Sequence, residues 1–121
     1  MQEAQAEVKL NQCQNSEIKS NGNIVIQRDG VILSHLYAAR SILFKQDTAV
    51  CRGSTLEAGR SIVAKNVGGK TGVDTMLKAK MMVSVRKMFA GRICIGKYSI
   101  DVDKMIEDKT FNIRDMRNSA S

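Results

Sequence analysis

Ser34-His35-Leu36-Tyr37-Ala38-Ala39-Arg40-Ser41-Ile42-Leu43-Phe44 and Ser54-Thr55-Leu56-Glu57-Ala58-Gly59-Arg60-Ser61-Ile62-Val63-Ala64 follow one pattern, 20 residues apart. Ser16-Glu17-Ile18-Lys19-Ser20-Asn21-Gly22-Asn23-Ile24-Val25-Ile26 is a third copy, 18 residues before the first. Position one is always Ser, position three Ile or Leu, position five Ser or Ala, position eight Asn or Ser, and position nine Ile. A period of 18–20 residues is too short for a repeat of paired helices and matches one coil of short strands and tight turns. Asn-Gly, Asp-Gly and Gly-Gly elements between the apolar runs supply the turns.

Working outward, the repeat weakens but persists. Thr75-Met76-Leu77-Lys78-Ala79 echoes its first half, and Ala90-Gly91-Arg92-Ile93 echoes the Ala-Gly-Arg corner with one residue lost. Val8 and Leu10 alternate with polar residues before the first clear copy. Helical spacing is confined to the N-terminus and to residues 102–109. The expected fold is all-β: a single-stranded parallel β-solenoid, or β-helix, with coils of 18–20 residues and right-handed crossovers. Residues 1–15 read as an N-terminal cap or first partial coil and 16–82 as the solenoid core. Residues 83–117 read as a C-terminal β segment that continues or caps it, and 118–121 as a disordered tail.

Alternation assigns the faces. If Ile24, Ile42 and Ile62 point inward, so do Ile26, Phe44 and Ala64, while Val25, Leu43 and Val63 point outward beside polar Gln27, Lys45 and Lys65. That leaves an outward apolar ladder, with neighbours about 4.8 Å apart, where parity expects polar residues. Val25, Leu43 and Val63 are therefore the candidate interface for a second copy or a protein partner. The alternative is that residues 105–113 fold back over the ladder within one chain.

The chain has 121 residues, no proline or tryptophan, and five aromatic side chains, so its core must be aliphatic and thin. One domain is expected. No apolar run approaches the ~18 residues of a membrane helix, and the N-terminal residues are polar and acidic, so the expected location is cytoplasmic. Cys13, Cys51 and Cys94 are odd in number and widely spaced, which suits reduced, partly buried side chains rather than a disulfide framework or a metal knuckle.

The net charge of +7 is uneven. Between residues 78 and 97 stand Lys78, Lys80, Arg86, Lys87, Arg92 and Lys97 with no acidic residue, a candidate surface for an anionic membrane, nucleic acid or an acidic protein. The scarcity of aromatic stacking residues weighs against single-strand recognition.

Catalytic chemistry is hard to assemble from this sequence. His35 is the only histidine, and its repeat equivalents Glu17 and Thr55 have no chemistry in common with it. Asp101, Asp103, Glu107 and Asp108 lack histidines or a calcium-loop pattern nearby, so no metal site is expected. Residues 68–72, Gly-Gly-Lys-Thr-Gly, resemble a phosphate loop, but position 64, where its first glycine would stand, is Ala64. No nucleophile and base can be paired with one histidine. The expectation is a protein that is not an enzyme, with no cofactor and no small-molecule substrate.

The stretches GNIVIQRDGVILSHLYAARSILF and GSTLEAGRSIVAKNVGGKTGVDTMLKA resemble the central solenoid of the bacterial flagellar assembly protein A family. The stretch VRKMFAGRICIGKYSIDVDKMIEDKTFNIRD is similar to that family's C-terminal segment, with Phe89-Ala90-Gly91, Ile93, Ile95, Phe111 and Asp115. The likeness spans residues 16–117. It lacks the family's additional N-terminal region and the coiled coil between solenoid and C-terminal segment, since residues 75–79 run almost directly into residues 83–85. The resemblance implies a structural or regulatory scaffold linked to flagellar assembly, acting through protein partners or as a homo-oligomer. The alternatives are a self-polymerising solenoid of the bactofilin type, and an anionic-surface or nucleic-acid binder through residues 78–97. A third solenoid group is the C-terminal domain of the septum-site inhibitor; residues 89–95 favour the flagellar assembly protein A family over both it and the bactofilin type.

Overall fold

A computed structural model describes residues 7–68 and 75–120, with side chains through Met116. Thirteen strands and one helix occur among them, in the order β1 (Val8–Gln14), β2 (Glu17–Ser20), β3 (Ile24–Ile32), β4 (His35–Ala38), β5 (Ser41–Phe44), β6 (Val50–Arg52) and β7 (Thr55–Ala58). They continue as β8 (Ser61–Val67), β9 (Met76–Ala79), β10 (Met82–Met88), β11 (Gly91–Ile95), β12 (Tyr98–Val102), β13 (Ile106–Asn112) and α1 (Ile113–Ala120). One sheet runs β1-β3-β5-β8-β10-β13, with β6 between β3 and β8, and the other runs β12-β11-β9-β7-β4-β2. The chain is a β-solenoid of stacked parallel coils.

Each coil has three legs. The first passes through residues 24–26, 42–44, 62–64 and 83–85, and the second through residues 30–32, 50–52, 66–67 and 87–88. Strands β4, β7, β9 and β11 supply the third. Register follows the sequence repeat: Ile24 lies beside Ile42, Ile42 beside Ile62, and Ile62 beside Val83. These isoleucines and Val83 are fully buried, so the inward phase read from alternation holds. Two further inward columns, Val31–Cys51–Val67–Met88 and Leu36–Leu56–Leu77–Ile93, close the interior. Each buried Ile or Leu contributes roughly 1.5–3 kcal/mol by leaving water.

The invariant serine has a physical reason. It stands at the corner between the second and third legs, just after Asn15, Leu33 or Gly53, each with a left-handed backbone (φ of 52°, 50° and 57°). That bend breaks the strand ladder, and the hydroxyls mend it. Ser54 Oγ accepts from the Ser34 N–H at 3.1 Å, Ser34 Oγ from the Ser16 N–H at 3.1 Å, and Thr75 Oγ1 from the Gly53 N–H at 2.8 Å. Ser16, Ser34 and Ser54 each also donate to the carbonyl two residues back, at 2.9 Å. Three successive junctions are thus sewn by a hydroxyl that a serine or threonine alone provides at this size; at the next, Gly91 stands beside Thr75 and offers none.

The stack ends by reversal. β12 runs antiparallel to β11 after a turn through Gly96 (φ 59°), and β13 runs antiparallel to β10. The expectation of helical spacing at residues 102–109 is corrected here: Val102 ends β12 and residues 106–109 belong to β13, which pairs with β10, while the alternation of Val8 and Leu10 is that of a strand, β1, paired with Ile24 and Ile26. The helix is α1, running to Ala120 through positions expected as a tail. Residues 1–6 of the expected cap, residue 121, and all but Gly68 of the stretch 68–72 lie outside the described residues.

Candidate interaction faces

The outward side of the first leg is built by the alternation that buries Ile42. Val25 lies beside Leu43 and Leu43 beside Val63, so the three candidate interface residues form one column in register. Lys9 precedes Val25 and Ser84 and Thr110 follow Val63, so the column is polar at both ends. Its members are not equally open. Val25 is only 5% exposed, while Leu43 and Val63 are half-buried. The alternative cover is not what the fold provides: residues 106–112 lie edge-on beside β10, extending the sheet rather than crossing the column.

Beside Val63 the face dips into an open groove of about 500 Å³, floored by Val63, Ser84 and Thr110 and rimmed by Asp47, Lys65 and Arg86. The rim is a charge cluster that sequence reading did not assemble. Asp47 lies 3.4 Å from Lys65 Nζ and 3.1 Å from Arg86 Nη1. Its loop is held because Asn66 Nδ2 donates to the Asp47 carbonyl at 2.9 Å and to the Ala49 carbonyl at 3.0 Å. The readable signal was the spacing itself, since Asp47 and Asn66 stand about one coil apart.

The six basic residues between positions 78 and 97 do not share a face. Lys78 and Arg92 are on the third leg, Arg86 is on the first-leg side and Lys87 on the second leg, and Lys80 and Lys97 are at corners. Arg86 is paired with Asp47, and Arg92 Nε donates to Asp101 at 2.7 Å. Lys97 sits 5.7 Å from the centre of the Tyr98 ring. The reason is the winding: residues eight apart are on opposite sides of a coil, and those one period apart are neighbours.

His35 faces outward on the third leg, aligned with Glu17 and Thr55 as the repeat places it. Its Nε2 lies 2.6 Å from Glu57 Oε2 and its Nδ1 4.0 Å from Glu17 Oε2. Hydrogen bonding of this kind orients surface side chains, and among the described residues no group of three or more His, Cys, Asp or Glu is placed to hold a metal. Cys13 and Cys51 are buried and Cys94 is half-buried, all three unbonded to one another. Burial pushes the Cys51 thiol up to about 12. No helix among the described residues is long and apolar enough to cross a membrane. In comparisons with known proteins, no family model, no curated protein and no solved structure matches the chain.

Proposed function

We propose that this protein is a non-enzymatic scaffold that pairs with a second copy through the outward side of its first leg. The observation that carries the reading is the in-register column Val25–Leu43–Val63, with Leu43 and Val63 half-buried where the same alternation puts polar side chains elsewhere. A two-fold axis across this face would bury the column and set the Asp47–Lys65–Arg86 rim of one copy against that of the other, carboxylate to cation. Lateral pairing is favoured over end-to-end polymerisation. The last strand, β13, offers an edge of Glu107, Asp108 and Lys109, and charged residues on an edge oppose strand addition. The likeness of residues 16–117 to the flagellar assembly protein A family supports placing the scaffold in flagellar assembly, in the cytoplasm.

Sedimentation velocity over a concentration series tests the reading. The expected species moves from 13.3 kDa toward twice that mass as concentration rises. A single 13.3 kDa species throughout refutes the pairing.

A further inference from the structure

We infer that the corner between the third and first legs is a docking site for an anionic lipid surface. The corner is a stack of turns joined by backbone hydrogen bonds: the Arg40 N–H donates to the Gly22 carbonyl at 3.0 Å, Arg60 to Arg40 at 2.7 Å, and Met81 to Arg60 at 2.9 Å. Pairing of Ala58 with Ala79 sets Lys80 beside Gly59, and the next turn carries Lys97. Gly59 lets the turns approach this closely, since a Cβ there would lie 2.1 Å from the Ala39 carbonyl oxygen. Four cations, Arg40, Arg60, Lys80 and Lys97, therefore stand on four successive turns of one edge, and all are exposed.

The corner carries only positive charge. Lys65 and Arg86 meet Asp47 and Arg92 meets Asp101, whereas the corner cations, like Arg28, Lys45 and Arg52 elsewhere, have no such partner among the described residues. Among the described residues no ion pair is found for Arg40, Arg60 or Lys80, and no acidic residue occupies a position of the corner. The nearest carboxylate on the third leg, Glu57, is engaged by His35 at 2.6 Å. On the other side stand Ser41 and Ser61, uncharged and joined hydroxyl to hydroxyl at 3.0 Å. Adjacent strands are about 4.8 Å apart, so stacked like charges repel in the free protein and are relieved by an anionic partner that spans several turns.

Met81 decides which partner. It is 53% exposed, in the same column as Arg40 and Arg60. An apolar side chain held out from a cationic ridge is of no use to a phosphodiester backbone, but it enters the acyl boundary of a bilayer whose headgroups meet the flanking cations. The ring beside Lys97, Tyr98, lies under its ammonium, which leaves that ring poorly placed for a base to stack on.

The test is co-sedimentation with vesicles of phosphatidylcholine, with and without phosphatidylglycerol, using Arg40→Gln/Arg60→Gln/Lys80→Gln against Arg28→Gln/Lys45→Gln/Arg52→Gln. The second variant removes equal charge from exposed positions on other parts of the coil. Partitioning should require phosphatidylglycerol and fall with salt. It should drop about 100-fold in the corner variant, roughly five-fold per cation, and much less in the control. Met81→Ser should weaken vesicle binding at unchanged charge. Equal losses in the two triple variants, no vesicle binding by the wild type, or binding to a DNA duplex that the corner variant loses while vesicles go unbound would each overturn the inference. Circular dichroism of each variant, unchanged from wild type, establishes that the surface and not the fold was altered.

Discussion

Replacing Ser54 by Ala removes one hydroxyl from the middle of the serine corner, and the structure says what is lost. Ser54 is 1% exposed, so no water replaces it. Its Oγ is the acceptor for the Ser34 N–H at 3.1 Å and a donor to the Arg52 carbonyl at 2.9 Å. The Arg52 carbonyl keeps a partner, because the Leu33 N–H also donates to it at 2.9 Å. The Ser34 N–H loses its acceptor in a buried site, which costs about 1–3 kcal/mol. Ser16→Ala is the internal control: Ser16 is exposed and its hydroxyl bonds only the Gln14 carbonyl in its own coil, so its removal should stay within about 0.5 kcal/mol. Urea unfolding of the two variants measures the difference, with unchanged m-values if only the folded state is affected. Equal stabilities for Ser54→Ala and Ser16→Ala would refute the idea that the hydroxyls sew the coils together.

Leu33 occupies the left-handed corner at φ 50° and is 46% exposed, so Leu33→Asn should stabilise by about 0.5–1 kcal/mol in the same assay, and a loss of stability would contradict the backbone reading. Ile42→Ala, at a fully buried position between two stacked isoleucines, should cost about 2–5 kcal/mol, while Lys45→Ala should stay within about 0.5 kcal/mol; similar values would mean the inward phase is wrong. The Cys51 thiol is held neutral in the fold, with its pKa raised from 9.0 to about 12, while the unfolded chain ionises near 9. Its contribution is therefore complete below pH 9 and is lost as pH climbs toward 12, so wild type should lose stability relative to Cys51→Val over that range, and parallel pH curves would exclude the effect.

What could be read from the sequence was whatever has a period. Ile24, Ile42 and Ile62 announced both the coil and its inward face, because a strand alternates every two residues and a solenoid coil returns in register. The repeated serine was visible, but its role was not, since it depends on a left-handed bend that Asn15, Leu33 and Gly53 share despite their different chemistry. The reversals at β12 and β13 were hidden for a similar reason: their strands look like any others, and only the two-residue turn at Gly96 and Lys97 marks the first. Charge was misread by contiguity. Residues 78–97 look like one basic cluster along the chain, yet winding sends them to different sides, while Arg40 and Arg60, twenty residues apart, stand one above the other.

The pairing face is tested most directly by the mass of Leu43→Glu in light scattering beside its stability in urea, with Tyr37→Glu, on the third leg, as the matched control. The account predicts a wild type and a Tyr37→Glu variant at twice 13.3 kDa, and a Leu43→Glu variant at 13.3 kDa that still unfolds cooperatively in urea, lowered only by the loss of association. A Leu43→Glu protein that keeps the mass of the wild type, at unchanged stability, would contradict it.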